Sequence, residues 1–203
     1  MSMAAFRARR ERLAQAMGEG IAIVPTAPER LRNRDAAYPY RFDSYFYYLT
    51  GFTEPEAVLA VIGGASPRSI LFCRPKNEER EIWEGFRYGP EGARAVFAMD
   101  ETFSIEALDE QMPALLGDRE RLYFSLGADP SWDARVTGWL NAVRARSRTG
   151  VRAPKEIVDL RSVLDEMRLV KDEHELATMR RAAAISTSAH RRAIRFARPG
   201  LHE

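Results

Sequence analysis

The chain has 203 residues, 45% of them hydrophobic, and a formal net charge of +2. This length fits one ordinary domain plus a fragment, or two small domains, and the apolar content is sufficient for a core. The nearly balanced charge excludes a nucleic-acid binder that relies on bulk electrostatics. No apolar run has the length of a signal or membrane-spanning segment. Cys73 is the single cysteine, which excludes an internal disulfide and favours a reducing, cytoplasmic compartment.

The first half of the chain is predicted to contain mainly strands. A helix over 4–17 ends at Gly18, a strand over 21–24 ends at Pro25, and the polar segment 28–40 is loop. Strands are then predicted at four places: 44–50, 57–62, 69–74 and 80–84.

The second half alternates between helices and strands. Helices are predicted at 90–99, 105–116, 130–146 and 160–168. A strand is predicted over 121–126, and 151–157, which contains Pro154, is predicted as a crossing loop. Hairpins followed by strand–helix units predict an α/β fold, a mixed β-sheet with helices on its faces.

The last predicted helix runs from about Asp172 to Ala197 and stops before Pro199-Gly200. Apolar residues recur along it at three- and four-residue spacing: Leu176, Met179, Ala182, Ile185, Ala189, Ala193 and Phe196. A helix of this length needs something to cover such a stripe, and little sequence remains to do so. We therefore expect the chain to be a fragment of a longer protein.

Eight of the twenty aromatic residues lie between Tyr38 and Phe52. Aromatics at this density are typical of a sheet core. The string YPYRFDSYFYYLTGFTEPEAVL, residues 38–59, also resembles the motif YPYRxxSxFxYxTGFxEPEAVL of the N-terminal domain of Xaa-Pro aminopeptidases (aminopeptidase P). These enzymes belong to the creatinase/prolidase group of metallopeptidases.

Three further segments resemble the same family, so the resemblance covers nearly the whole chain. Residues 81–89 (EIWEGFRYG) are similar to its EIWxGxRxG, and residues 159–171 are similar to its DxRxxxxxMRxxK junction. Residues 173–200 resemble the first helix of its catalytic domain. The resemblance implies an N-terminal domain over 1–169, followed over 170–203 by the truncated beginning of an α+β "pita-bread" catalytic domain.

The resemblance implies that the metal centre lies outside this chain. The family's centre holds two divalent metal ions, usually manganese, by two Asp, one His and two Glu of the later catalytic domain. His174 and His190 fall on the last predicted helix and His202 at its frayed end, where they form no such set. We expect no catalytic residue, metal site or cofactor in this chain, and no activity from it alone.

Three residues match positions that carry substrate contacts in the family. Trp83 matches a tryptophan that reaches toward a neighbouring subunit's active site; without the resemblance, a tryptophan covering a sheet edge is the simpler interpretation. Arg148 matches an arginine that projects toward the adjoining subunit's substrate site, although it belongs to a basic cluster of the kind usually solvated. Asp35 matches an aspartate at the mouth of the active site, although an Asp in a polar loop is commonly a turn residue.

The function that the resemblance implies is removal of the N-terminal residue from peptides with proline in second position. This portion would supply oligomer contacts, in a dimer or tetramer, and pocket walls, with no membrane or nucleic-acid partner. Two alternatives stay open: a catalytically inactive protein-binding module of the same fold, and a prolidase or creatinase relative. Fold alone does not separate them.

Overall fold

The computed structural model describes residues 3–202. Its α-helices are α1 (Met3–Met17), α2 (Ser44–Thr50), α3 (Glu78–Glu84), α4 (Gly89–Phe97), α5 (Leu108–Leu116), α6 (Pro130–Ala145), α7 (Leu160–Leu169) and α8 (Glu173–Phe196). Its strands are β1 (Ile21–Pro25), β2 (Val58–Ile62), β3 (Arg68–Cys73), β4 (Glu101–Ser104), β5 (Arg121–Tyr123) and β6 (Glu156–Val158). Short 3₁₀ helices occupy Ile105–Ala107 and Ser147–Thr149.

The six strands form one mixed sheet in the order β4-β3-β2-β1-β5-β6. The central strand β2 pairs antiparallel with both β1 and β3. The outer pairs β3–β4, β1–β5 and β5–β6 are parallel. It follows that β1, β3, β4, β5 and β6 all point the same way, so that their carboxyl ends lie along one edge of the sheet. The predicted mixed α/β architecture is confirmed.

Helices α5 and α6 cover one face of the sheet. Fully buried side chains on alternate strand positions, such as Ile21, Ile23, Ile70 and Phe72, pack there against the inner sides of the two helices. Because successive strand residues point to opposite faces, Ala22, Leu59 and Leu71 are directed to the other side, where they are equally buried. Helices α1, α2 and α4 contact the strands on that second side.

The prediction of a strand over 44–50 is wrong, since these residues form helix α2. The Asp43 side chain accepts hydrogen bonds from the backbone N–H groups of Tyr45 and Phe46, at 2.8 and 2.9 Å. Gly51, at φ +70°, closes the other end and donates its N–H to the carbonyl of Tyr47. A cap at each end therefore overrides the β-favouring aromatic composition.

The predicted strand over 80–84 is also wrong and forms helix α3. Asn77 caps it by accepting from the N–H of Arg80, and acidic residues in its first turn suit the positive end of the helix dipole. The remaining predicted helices and the other strands are confirmed within a few residues. Two short strands were not predicted: β4, and β6 within the segment predicted as a crossing loop.

The described chain divides into two compact units. Residues up to Leu164 form the unit that contains the sheet, and those from Asp165 onward form the other. In the second unit α8 begins with a capping box, in which Asp172 accepts from the N–H of Glu175 and Glu175 accepts from the N–H of Asp172. No residue of α8 is buried, so the apolar side chains along it are accessible.

Candidate functional site

Helix α3 and the turn after it display the most exposed aromatic side chain of the sheet-containing unit. Trp83 is 89% exposed, and Ile82 and Phe86 beside it are 78% and 63% exposed. None of the residues of α3 is buried. The helix ends at Gly85, whose φ of +84° and ψ of 176° form a conformation that side chains disfavour. The indole is thus presented to solvent instead of covering the sheet edge.

Four charged residues meet at the end of α3 and are called here the Glu84 cluster: Glu54, Arg74, Glu84 and Arg87. Arg74 and Arg87 are almost completely buried. Arg87 donates a hydrogen bond from Nη2 to Oε2 of Glu84. Arg74 lies 3.8 Å from Glu54 Oε2 through Nη2 and 3.8 Å from Glu84 Oε2 through Nη1. The cluster therefore joins the end of β3 and the loop before β2 to the last residue of α3.

Lys76 adds a second link to the same segment. Its Nζ donates to Oε2 of Glu81 at 2.8 Å and to the carbonyl oxygen of Arg87 at 3.0 Å. The ammonium also lies 4.2 Å from the centre of the Phe86 ring, within cation–π distance. Gly89, at φ +64°, lets the chain pass so near that an added Cβ would meet the Lys76 backbone nitrogen at 3.2 Å. Residues 85–89 are thereby held against the end of β3.

The carboxylates around α3 have shifted pKa values with distinct causes. The hydrogen bond from Arg87 is the main cause that lowers the pKa of Glu84, and the hydrogen bond from Lys76 lowers that of Glu81. Burial raises the pKa of Glu54, although the N–H of Tyr88, which donates to its Oε1 at 2.8 Å, acts in the opposite direction. Glu84 and Glu81 are consequently ionised throughout the neutral range.

Asp35 lies at the tip of a tight turn in the loop that follows β1. Leu31 and Ala37 form an isolated antiparallel bridge, and the N–H of Arg32 donates to the carbonyl of Ala36 at 2.8 Å. The Asp35 carboxylate is exposed. The loop leaves β1 at its carboxyl end, the same edge of the sheet from which the chain leaves β3 toward Trp83. The topology therefore places the Asp35 loop and α3 at one edge.

Arg148 lies elsewhere in the fold. It occupies the 3₁₀ helix Ser147–Thr149, after α6 has run back from β5 and before the chain enters β6. Its side chain is exposed. Since β6 is parallel to β5, this segment lies toward the amino ends of those strands, opposite to the edge of Trp83 and Asp35. Within one copy of the chain, the three residues do not converge on one site.

The remaining candidate reactive groups in the described residues are Cys73 and the His, Asp and Glu side chains. Cys73 is buried in β3, and burial raises the pKa of its thiol to about 12, so it stays protonated at neutral pH. Among residues 3–202, no three His, Cys, Asp or Glu side chains are grouped so that they could hold a metal ion. The helices of this same range include none that is both long and apolar enough to cross a membrane.

Residues 6–123 match a family model described as the N-terminal domain of aminopeptidase P. This match covers more than half of the chain. The chain belongs to the aminopeptidase P family. The resemblance read from the aromatic string and the EIWxGxRxG segment is thereby confirmed.

Curated and solved aminopeptidase P relatives match along almost the whole chain. The Xaa-Pro aminopeptidase of Escherichia coli K12 is 38% identical over 201 residues, which cover 98% of this chain and 46% of the relative. Xaa-Pro aminopeptidase 3 of Dictyostelium discoideum is 31% identical over 194 residues, covering 94% and 36%. The chain thus spans less than half the length of these relatives.

Solved structures of the family share the fold described above. The structure of the Pseudomonas aeruginosa aminopeptidase PepP is 43% identical with a TM-score of 0.95, covering 99% of this chain and 46% of that one. A zinc-substituted E. coli aminopeptidase P in complex with product is 37% identical with a TM-score of 0.96, covering 100% and 47%. The likeness includes both units of the chain, since the match extends over its full length.

Sequence reasoning identified the aminopeptidase P segment around Trp83 but missed what supports it. Glu54, Arg74 and Arg87 come from separate segments, and their pairing exists only once β3 and the loop before β2 are packed. Glu54 and Arg87 lie inside the two quoted motifs, but the first motif also contains the exposed residues Arg41 and Glu56. The motifs alone therefore did not indicate which charged side chains are buried.

Proposed function

We propose that this chain is the N-terminal part of a Xaa-Pro aminopeptidase, a metallopeptidase that removes the N-terminal residue from peptides with proline in second position. The observation that carries the proposal is the 38% identity to the E. coli enzyme over 98% of the chain. The EIWxG segment is retained, and its tryptophan, Trp83, is exposed and not buried. Both observations favour the peptidase over a binding module that has lost catalysis.

In the proposed enzyme, residues of this portion take part in no chemical step of the reaction. Residues 1–169 form the N-terminal domain and 170–203 begin the catalytic domain; this boundary falls between the end of α7 and the start of α8. Two divalent metal ions, manganese in the proposal, would supply the activated water and polarise the scissile carbonyl. Residues 3–202 contain no group of His, Cys, Asp or Glu side chains that fits such a centre, so in the proposal its ligands would come from the rest of the full-length enzyme. The chain alone is inactive.

The proposed contribution of this portion is to the walls of peptide pockets and to contacts in a homo-oligomer. Trp83 would lie against peptide residues after the scissile bond, because a rigid indole provides apolar contact at low entropic cost. Arg148 would bind a carbonyl or terminal carboxylate, and Asp35 would pair with a cation at a pocket mouth. Trp83 and Arg148 lie toward opposite edges of the sheet, which supports contacts with different neighbouring copies. The proposed location is the cytoplasm. It is supported by the single cysteine, which is free and buried, as is usual in a reducing compartment.

The test is carried out on the full-length protein with manganese. We expect cleavage of X-Pro-X peptides and none of matched X-Ala-X peptides. Trp83→Ala should lower kcat/KM about tenfold for peptides extending beyond proline, since positioning contacts contribute at this scale, with the melting temperature almost unchanged. Ile82→Ala, on the same exposed helix, is the control and should leave both quantities near wild type. A large melting shift with normal activity per folded molecule contradicts the role of Trp83, and absence of X-Pro cleavage contradicts the enzyme.

A further inference from the structure

Helix α3 has no hydrophobic anchor. It contains seven residues, none of them buried, whereas an isolated helix in water needs about 12–15 residues to be even marginally stable. Its caps, Asn77 and Gly85, define where it begins and ends but do not attach it to the sheet. The contacts that α3 itself makes with the rest of the unit, and that can orient Trp83 on its last turn, are therefore polar.

Those polar contacts converge on one side of the helix. Glu81 and Glu84 are three residues apart and share a face, on which Lys76 binds the first and Arg87 the second. Ile82 and Trp83 fall outside this face and are exposed. Fixing the acidic face thus determines the direction in which the indole is presented.

Glu84 has a particular place among these contacts because it is adjacent to Trp83 and faces two buried guanidinium groups. The side chains of Arg74 and Arg87 are 8% and 5% exposed, whereas that of Glu84 is 43% exposed. Among the described residues, neither Arg74 Nε nor Arg87 Nε has a hydrogen-bond partner. Both cations thus depend on the few carboxylates within reach, and Glu84 is the one that α3 supplies.

We propose that Glu84 is a positioning residue, whose carboxylate, held by Arg87 and Arg74, fixes the orientation of Trp83. The inference rests on the proposed function, in which Trp83 forms the wall of a peptide pocket. The arginines that hold Glu84 are buried, whereas no residue of α3 is buried. Loss of the Glu84 charge should free the last turn of α3 while leaving the sheet and its core in place.

The first test measures the mobility of Trp83 directly. The full-length protein is labelled with 5-fluorotryptophan, and the fluorine resonance of Trp83 is assigned by its loss in Trp83→Phe. In Glu84→Gln we expect this resonance to narrow and to move toward its position in the unfolded protein, with the resonances of Trp132 and Trp139 unchanged. Glu79→Gln, on the exposed side of the same helix, is the matched control and should leave all three resonances unchanged. Glu84→Asp keeps the charge on a shorter side chain and should give an intermediate shift.

The second test asks whether the positioning reaches the substrate. Glu84→Gln should raise KM about fivefold for X-Pro peptides with several residues after proline, as misplacement of a remote contact does, and leave kcat for short X-Pro peptides near wild type. In a Trp83→Ala background the same change should have no further effect, because both substitutions remove one contact. A role confined to overall stability would instead change all substrates alike.

The two readouts separate the failure of this inference from failure of the proposed function. An unchanged Trp83 resonance in Glu84→Gln overturns the positioning role, whatever the kinetics. A shifted resonance together with wild-type kinetics for Trp83→Ala supports the positioning of the indole by Glu84 and removes its assignment to a peptide pocket. A shift of all three tryptophan resonances would mean general unfolding and would also overturn the inference.

Discussion

Asp109 joins two helices through three hydrogen bonds from two side chains. It accepts from Nε and Nη2 of Arg135, at 2.6 and 2.9 Å, and from Nε1 of Trp139 at 2.8 Å. Arg135 is the main cause that lowers the pKa of Asp109 below its ordinary 3.8, and Trp139 contributes in the same direction. The carboxylate thus connects α5 to α6 on the outer side of the layer they form over the sheet.

Asp109→Asn should destabilise the protein in a pH-dependent way. Because the pKa of Asp109 is lower in the folded state, its contribution is fully present above about pH 3.8 and is lost as the pH falls through the folded-state pKa. The pair is partly exposed, so we expect a loss of about 1 kcal/mol at neutral pH. Melting curves between pH 2.5 and 7 should show that the difference in melting temperature between the variant and wild type becomes small only at the lowest pH values. Glu110→Gln is the control, and a gap that stays constant to pH 2.5 would contradict the assignment.

At the scale of residues, the sequence could reveal which side chains carry candidate function but not what holds them. Trp83 is recognisable because the EIWxGxRxG segment is local and specific. Its support depends on Glu54 and Arg74, which lie 29 and 9 positions earlier in the printed sequence and meet α3 only through the packing of the sheet. Contacts between distant segments leave no periodic pattern, so no spacing rule could have found them.

Helix α2 shows how local capping decides between helix and strand. Its composition is β-favouring, and the sequence predicted a strand. Phe46 and Leu49, three residues apart, are both fully buried, which suits a helix facing α1. The signals that would have predicted the helix are Asp43 before the aromatic run and Gly51 after it. Strands β4 and β6 were missed for a different reason, since four and three residues are too few to show alternation.

Asp43→Ala should destabilise α2 and the surface it packs on. The substitution removes the acceptor for two backbone N–H groups, Tyr45 and Phe46, at the start of the helix. We expect the free energy of unfolding to fall by about 1 kcal/mol, the usual cost of losing such a cap. Chemical denaturation measures it. Asp43→Asn retains an acceptor oxygen and should recover most of the loss; an equal loss in both variants would show that the charge, not the cap, is what matters.

At the scale of the whole molecule, the sequence predicted the fold class but not the order of the strands in the sheet. Alternating apolar segments with turn signals indicated a mixed α/β sheet, and this is confirmed. The parallel pairing of β1 with β5, which brings residues about a hundred positions apart into register, could not be read from local pattern. That pairing bears on the proposed function, because it sets which loops share an edge with α3 and which, like that of Arg148, do not.

Helix α8 gives a prediction about the 203-residue chain as a whole. Met179, Ile185 and Phe196 are 54%, 63% and 66% exposed, and contiguous apolar surface beyond about several hundred Å² usually associates with a partner. We therefore expect the isolated chain to self-associate at high concentration, as measured by light scattering and sedimentation. Ile185→Asp should weaken this association about tenfold, since it places a charge on the apolar side of the helix.

The matched control for that experiment is Thr187→Asp. Residues two apart on a helix point in nearly opposite directions, so the same charge on Thr187 lies away from the apolar side chain of Ile185. Association should survive this change if the stripe is what associates. If the unmodified chain is strictly monomeric, the expectation of self-association is wrong. If both substitutions weaken the association equally, the added charge and not its position on the helix is the cause. Weakening by Ile185→Asp alone would therefore identify the apolar side of α8 as the surface through which the chain associates.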